Sequence, residues 1–334
     1  MAFNNGTINI GGLFPFSELS NVNNTRAGGV IVNLNGTMDL AGGTLNLDTG
    51  VFGGVLDLLN GTLQSGTLVG TTLTSSNGTL DTMTLGSDLT TSGTLYINNS
   101  LTLADGIVVD IGNDQWRFGT TGNLPIAMLG GTGTASINMA GGTFYAGYGV
   151  TGQTLEIGNG VTVQGYGTLR NSSAATIVNN GNIIGNTAAQ TLTINPVTFT
   201  NNGSVAALTG GSISLANGAL SNDGTLIVDS GSTISTSNAS FTNNASGFVD
   251  GAGTFNVGSG TFTNDGTVRP GGLNATGILT ISGNYTQTAN GLLDIELQGT
   301  TPGTGYDQLR VTNTASMAGD LTVTEINAFS ALSF

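Results

Sequence analysis

Four segments in the C-terminal half repeat one short phrase at constant spacing. They are Phe199-Thr-Asn-Asn-Gly203, Leu220-Ser-Asn-Asp-Gly224, Phe241-Thr-Asn-Asn-Ala245 and Phe262-Thr-Asn-Asp-Gly266, and the interval from each to the next is the same. A fixed period of this length marks a stack of near-identical units rather than a single globular core. Counting the first apolar residue as position 1, position 15 is Ile213, Ile234 and Phe255, and position 17 is Leu215, Thr236 and Val257. Position 7 is Val205, Leu226, Gly247 and Val268, so that column breaks once.

Local spacing selects strand. Around position 1 an apolar residue stands between small polar ones, as in Thr198-Phe199-Thr200 and Thr261-Phe262-Thr263. Neighbours in a strand point to opposite faces, which sends Phe inward and Thr outward. A helix needs apolar residues three and four apart and few glycines, and this chain has 56 Gly in 334 residues. One unit buries about four apolar side chains worth roughly 1.5–3 kcal/mol each, against roughly 1–2 kcal/mol for every ordered backbone residue. It folds only if each strand pairs with the same strand of the next coil. The expected fold is therefore all-β, a single-stranded right-handed parallel β-helix (solenoid) with about 21 residues per turn in its regular section. At ~4.8 Å per turn it would form a rod roughly 75 Å long. The asparagines at position 3, Asn201, Asn222, Asn243 and Asn264, are expected to stack as a ladder of side-chain amides along one corner.

The chain reads as one continuous β-helix, 1–334, with sub-regions. Residues 1–110 carry irregular repeats marked by Asn35-Gly-Thr, Asn60-Gly-Thr, Asn77-Gly-Thr and Ser92-Gly-Thr. Residues 111–150 interrupt them: the stretch from Asp110 through Trp116 to Phe118, followed by Pro125, predicts a loop projecting from the coil. Regular 21-residue turns fill 151–270, and 271–334 has fewer Asn-Gly turns and longer strands.

Ionisable groups exclude several functions. With 19 acidic residues, five Arg, no Lys and no His, the net charge is −14. Arg26, Arg117, Arg170, Arg269 and Arg310 are too scattered to track a phosphate backbone, so nucleic acid is excluded and anionic membranes are disfavoured. No Cys is present, which removes disulfides and thiolate metal sites. No apolar run reaches the roughly 18 residues of a membrane span. Met1-Ala-Phe-Asn-Asn5 lacks the basic and apolar regions of a signal peptide, which leaves a cytosolic protein or an excised piece of a longer one, and the chain is read as the second.

Towards the C-terminus, Gly266-Thr-Val-Arg-Pro-Gly271, Gly277-Ile-Leu-Thr-Ile-Ser-Gly-Asn-Tyr-Thr286, Asp307-Gln-Leu-Arg-Val311 and Ala315-Ser-Met-Ala-Gly-Asp-Leu-Thr-Val323 occur in order. These resemble the distal passenger regions of bacterial autotransporters and of filamentous-haemagglutinin-like secreted β-helix proteins, best from about 199 to 324. The resemblance implies a non-catalytic structural or adhesive stalk at the bacterial cell surface or outside the cell. It also implies a role in cell adhesion and virulence and a glycan or protein receptor as partner; self-association through the solenoid ends is expected separately, from the unpaired strand edges such ends expose.

The catalytic alternative is a carbohydrate-active or carbohydrate-binding β-helix with its site near residues 105–118. Asp105, Asp110, Asp114 and Arg117 gather there in sequence around the only Trp, Trp116. Paired carboxylates could cleave a glycoside while Trp116 stacked on a sugar ring; the bland reading is a solvated loop whose Asp residues serve turns. Gly303-Thr-Gly-Tyr-Asp-Gln-Leu-Arg310 nearly matches a calcium-binding nonapeptide, but that site needs tandem copies, so Asp307 is expected to cap a turn. No catalytic residue, metal ligand or cofactor is assigned.

Overall fold

A computed structural model describes residues 6–19, 30–50, 52–54, 56–120, 126–216 and 219–328. Arg26, Pro125 and both chain ends named above lie outside the described residues. The protein is all-β, with a 3-10 turn at Phe16–Glu18 and with parallel ladders joining the same strand of successive coils, which makes it a parallel β-helix. Among the described residues no helix is long and apolar enough to cross a membrane. The chain divides into two compact units: residues 1–163 with 170–176, and residues 164–169 with 177–334.

In the second unit the repeat becomes a register. Phe199 pairs with Leu220, Phe241 with Phe262 and Phe262 with Tyr285 on successive coils. Phe199 and Phe241 are 2% exposed and Phe262 0%. Ile213, Ile234, Phe255 and Ile281 form a second inward column. The rings interlock: Phe255 lies 4.9 Å from Phe241 and 5.0 Å from Phe262 between centroids. Thr236 is polar in an apolar column yet fully buried, because its hydroxyl donates to the Ala239 carbonyl at 2.6 Å.

The break at position 7 closes in three dimensions. Leu226 pairs with Val249, not with Gly247, and Val249 pairs with Val268. Two extra residues, Ala245 and Ser246, enter the corner after Asn244, and the next corner loses two: Gly251 and Thr254 are joined by Ala252-Gly253, where Val228 and Thr233 are joined by residues 229–232. The glycine expected at position 5 is thus Gly247. It takes the place Gly224 holds one coil earlier, since Phe248 N donates to Gly224 O just as Thr225 N donates to Gly203 O. Glycine is required at this corner because a Cβ on Gly224 would fall 2.1 Å from the Gly203 carbonyl oxygen.

The amide ladder runs inside the corner. Asn201 Nδ2 donates to Asn222 Oδ1 at 2.8 Å, Asn222 to Asn243 at 2.8 Å and Asn243 to Asn264 at 2.9 Å, all four fully buried. It begins one coil earlier than the period announces, with Asn179 donating to Asn201 at 2.8 Å. Below Asn264 the rung is taken by Gln287, which donates to the carbonyls of Ala318 and Asp320 and accepts from the Tyr285 hydroxyl. Each amide also donates to a backbone carbonyl of its own corner or of the next coil, so the corner's carbonyls are satisfied without water.

The first unit uses longer strands. Thr72–Leu85 and Leu89–Leu103 run through corners as continuous strands, the register shifting at Asn77 and Thr82, which are skipped in the pairing and adopt φ of 63° and 53°. The Ser92-Gly-Thr mark is out of column. Thr37, Thr62 and Thr79 stack, but the next rung is Tyr96 rather than Thr94.

Candidate functional site

The stretch read as a projecting loop is two strands, Val108–Gly112 and Gln115–Gly119, joined by a tight turn in which Asp114 N donates to Ile111 O at 2.9 Å. Alternation explains the correction: Trp116 and Phe118 occupy inward positions and bury completely, which outweighs any tendency of Asp and Asn to open a loop. Trp116 stacks on Phe144 with centroids 5.5 Å apart and planes 6° from parallel, and its Nε1 donates to Thr91 Oγ1 at 3.3 Å. Trp116 is core and offers no face to a sugar.

The three carboxylates are each engaged in building coils. Asp105, exposed at a turn, accepts from the Thr134 backbone N at 2.7 Å. Asp110, exposed on its strand, accepts from Asn138 Nδ2 at 2.7 Å. Asp114 is half-buried, and burial raises its carboxyl above the ordinary range while a hydrogen bond from the Gly93 backbone opposes the shift. Among the described residues no group of three acidic side chains is placed to hold a metal ion. Asp307 of the nonapeptide-like stretch is buried and caps a turn, accepting from Gly277 N at 2.8 Å and Glu296 N at 2.7 Å; burial pushes its carboxyl up to about 6.

Arg117 is the residue of the predicted set that leads outward to something new. Its strand neighbours Trp116 and Phe118 point in, so Arg117 points out, and parallel pairing places it one rung from Tyr96 on one side and Tyr145 on the other. Nη1 donates to the Tyr96 hydroxyl at 2.7 Å and the Tyr148 hydroxyl at 3.3 Å, and Nη2 donates to Gln115 Oε1 at 3.0 Å. The guanidinium carbon sits 4.7 Å from the Tyr148 centroid and 5.3 Å from that of Tyr96. Arg170, exposed, lies over Tyr145 at 5.4 Å. Four residues of alternating type, Tyr96, Arg117, Tyr145 and Arg170, thus line one face with Tyr148 beside them.

Among the described residues no carboxylate pairs with either arginine here, so neither charge is neutralised, in contrast to Arg269, which is bound to Asp250 at 2.7 Å; Arg117 is half-buried with Nε enclosed and both Nη groups engaged, and Arg170 is the exposed one of the two. Each guanidinium–ring contact contributes roughly 0.5–1 kcal/mol at an exposed site, enough to order the side chains before any ligand arrives. Sequence reasoning missed the tyrosines because Tyr96 lies a full coil before Arg117 and Tyr145 a full coil after it, so that register alone brings them together. The signal was present as polar aromatics in the outward slots of apolar strands, Leu95-Tyr96-Ile97 and Phe144-Tyr145.

Hydroxyl columns cover other faces. Thr44, Thr67, Thr84 and Thr102 stack on consecutive rungs of the first unit, and Thr200, Ser221, Thr242, Thr263 and Thr286 do so in the second. Comparison of the chain with protein-family models, with curated proteins and with solved structures finds no match in any of the three.

Proposed function

We propose that this protein is a non-catalytic structural and adhesive stalk of a bacterial cell surface or its surroundings, of the kind represented by autotransporter passengers and filamentous-haemagglutinin-like proteins. The observation that carries the adhesive part is the Tyr96–Arg117–Tyr145–Arg170 column with Tyr148. Tyr and Arg are the side chains most often found as binding hot spots, because they combine large rigid area with directional donors. Aspartates that in a hydrolase would face one another instead hold adjacent coils together, as Asp105 and Asp110 do. A glycan or protein receptor on another cell is the partner.

A second reading draws on the same patch: the rings of Tyr96, Tyr145 and Tyr148 can stack on sugars, which makes the patch carbohydrate-binding without making it carbohydrate-cleaving. Cell-binding and glycan-array measurements on the wild type, Arg117→Gln and Tyr148→Ala, with a polysaccharide hydrolysis assay alongside, separate these. Binding lost in both variants with no turnover agrees with the adhesive reading. Turnover that disappears in Asp110→Ala or Asp114→Ala would replace it with an enzyme.

A further inference from the structure

The second unit carries an open groove of about 610 Å³, within the roughly 300–1,000 Å³ of small-molecule sites. Its origin is the compensated insertion. Ala252-Gly253 forms a corner two residues shorter than the 229–232 corner of the preceding coil, while the following connection, 271–277, is longer. The short corner is the floor, with Ser230 and Gly231 to one side and Thr276 and Pro302-Gly303-Thr304 to the other.

One outward column runs along it. Thr233, Thr254, Thr280 and Arg310 occupy successive rungs and all line the groove. Arg310 is exposed and its side chain makes no hydrogen bond or ion pair among the described residues, whereas the other described arginine of this unit, Arg269, is held by both oxygens of Asp250 at 2.8 and 2.7 Å. Among the described residues no carboxylate lines the groove. In a chain of net charge −14, the charge facing this concavity is positive.

We propose that the groove binds a linear oligosaccharide bearing a carboxylate, with the acid on Arg310 and ring hydroxyls on Thr280, Thr254 and Thr233. A guanidinium matches a carboxylate with two parallel hydrogen bonds. Rungs ~4.8 Å apart are close to the length that one sugar unit adds to a chain, so successive rings meet successive threonine hydroxyls. Among the described residues the lining holds no aromatic ring, which leaves neutral sugars without a stacking anchor and makes the carboxylate decisive. An acidic peptide is disfavoured because it needs backbone partners, and the rungs' own groups are already paired, Thr254 N with Ser232 O and Thr280 N with Gly253 O. This site is independent of the Arg117 column and stands whether or not the adhesive reading does.

The test is titration calorimetry of the full chain with hexagalacturonate, a hyaluronan hexasaccharide and sialyllactose, and with the methyl ester of whichever binds. At least one acid should bind, and its ester and Arg310→Gln should each weaken binding at least about tenfold. Arg310→Lys should retain part of the affinity. Inserting Ser-Gly between Ala252 and Gly253 restores the four-residue corner and should abolish binding with an unchanged circular dichroism spectrum. If no acid binds up to about 10 mM, or if Arg310→Gln or the ester binds as tightly as its parent, the proposal is overturned.

Discussion

The coils between Asn182 and Pro270 and those between Thr72 and Gly119 turn their corners by different means. In the first, a buried chain of amides from Asn201 to Asn264 runs along one corner, each donating to the next. In the second, single left-handed residues such as Asn77 and Thr82 bend a continuous strand, and isolated hydroxyls satisfy the backbone: Ser75 Oγ accepts from Gly78 N at 2.9 Å and donates to Thr94 O at 2.6 Å. An amide ladder works only if every rung delivers its side chain at the same height, so the two residues added at that corner are bulged outward, Asn243 donating to Gly247 O where Asn222 donates to Gly224 O, and are cancelled at the next corner before the following rung. Local caps impose no such condition, and Thr62 accordingly pairs with Thr37 across a long coil and with Thr79 across a distinctly shorter one. Periodicity is strict where a long-range polar network demands it and loose where each corner is satisfied alone.

The greatest loss of stability is expected in the loosely repeating unit, which rests on its aromatic cluster rather than on a ladder. Trp116→Ala empties a site enclosed by Phe118 and Phe144 and should cost about 3–5 kcal/mol, read by urea denaturation. A loss below about 1 kcal/mol would show that the cluster does not hold these coils. Next, Asn222→Leu leaves Asn201 Nδ2 without its amide acceptor and Asn243 Oδ1 without its amide donor. At roughly 1–3 kcal/mol for each buried orphan the expected loss is about 3 kcal/mol, whereas Asn33→Leu, which removes an exposed amide contact with Asn9 in the first unit, should cost under about 0.5 kcal/mol. Equal losses would refute the distinction between network and local cap.

A more modest change is expected with pH. Burial raises the carboxyls of Asp114 in the first unit and of Asp307 in the second, the latter to about 6. A folded-state pKa above the ordinary value of about 3.9 means that the charged form is disfavoured on folding. The stabilisation is complete at acidic pH and is lost as pH rises through about 6. Tm should therefore climb between pH 7.5 and 5, by roughly 2–4 °C, and a Tm that falls over this range would contradict the burial of Asp307. A change of similar size belongs to the surface: Arg117→Gln should cost about 1–2 kcal/mol through its ring contacts while removing receptor binding, so a loss above about 3 kcal/mol would recast the tyrosine–arginine column as structural support.

Much of the candidate site was unreadable from the chain. Asp105, Asp110, Asp114, Trp116 and Arg117 are neighbours in sequence, and a loop reading brings them together; strand alternation instead sends Trp116 inward and Arg117 outward and ties Asp105 and Asp110 to other coils. The tyrosines that complete the surface, and the threonines that lead to Arg310, are separated by whole coils. No local pattern joins Tyr96 to Arg117, or Thr280 to Arg310, unless the length of every intervening coil is already known.

What the sequence determined alone was the parallel β-helix, the inward phenylalanines and the course of the asparagine column, because a constant interval from Phe199 through Phe262 leaves burial and hydrogen bonding only one way to be satisfied together. What the tertiary structure decided was where that interval is kept by cancelling errors. Ala245-Ser246 adds two residues at one corner and Ala252-Gly253 drops two at the next, and the sum conceals both. The core tolerates the exchange because Val249 still reaches the place of Leu226, and the surface records it as a groove.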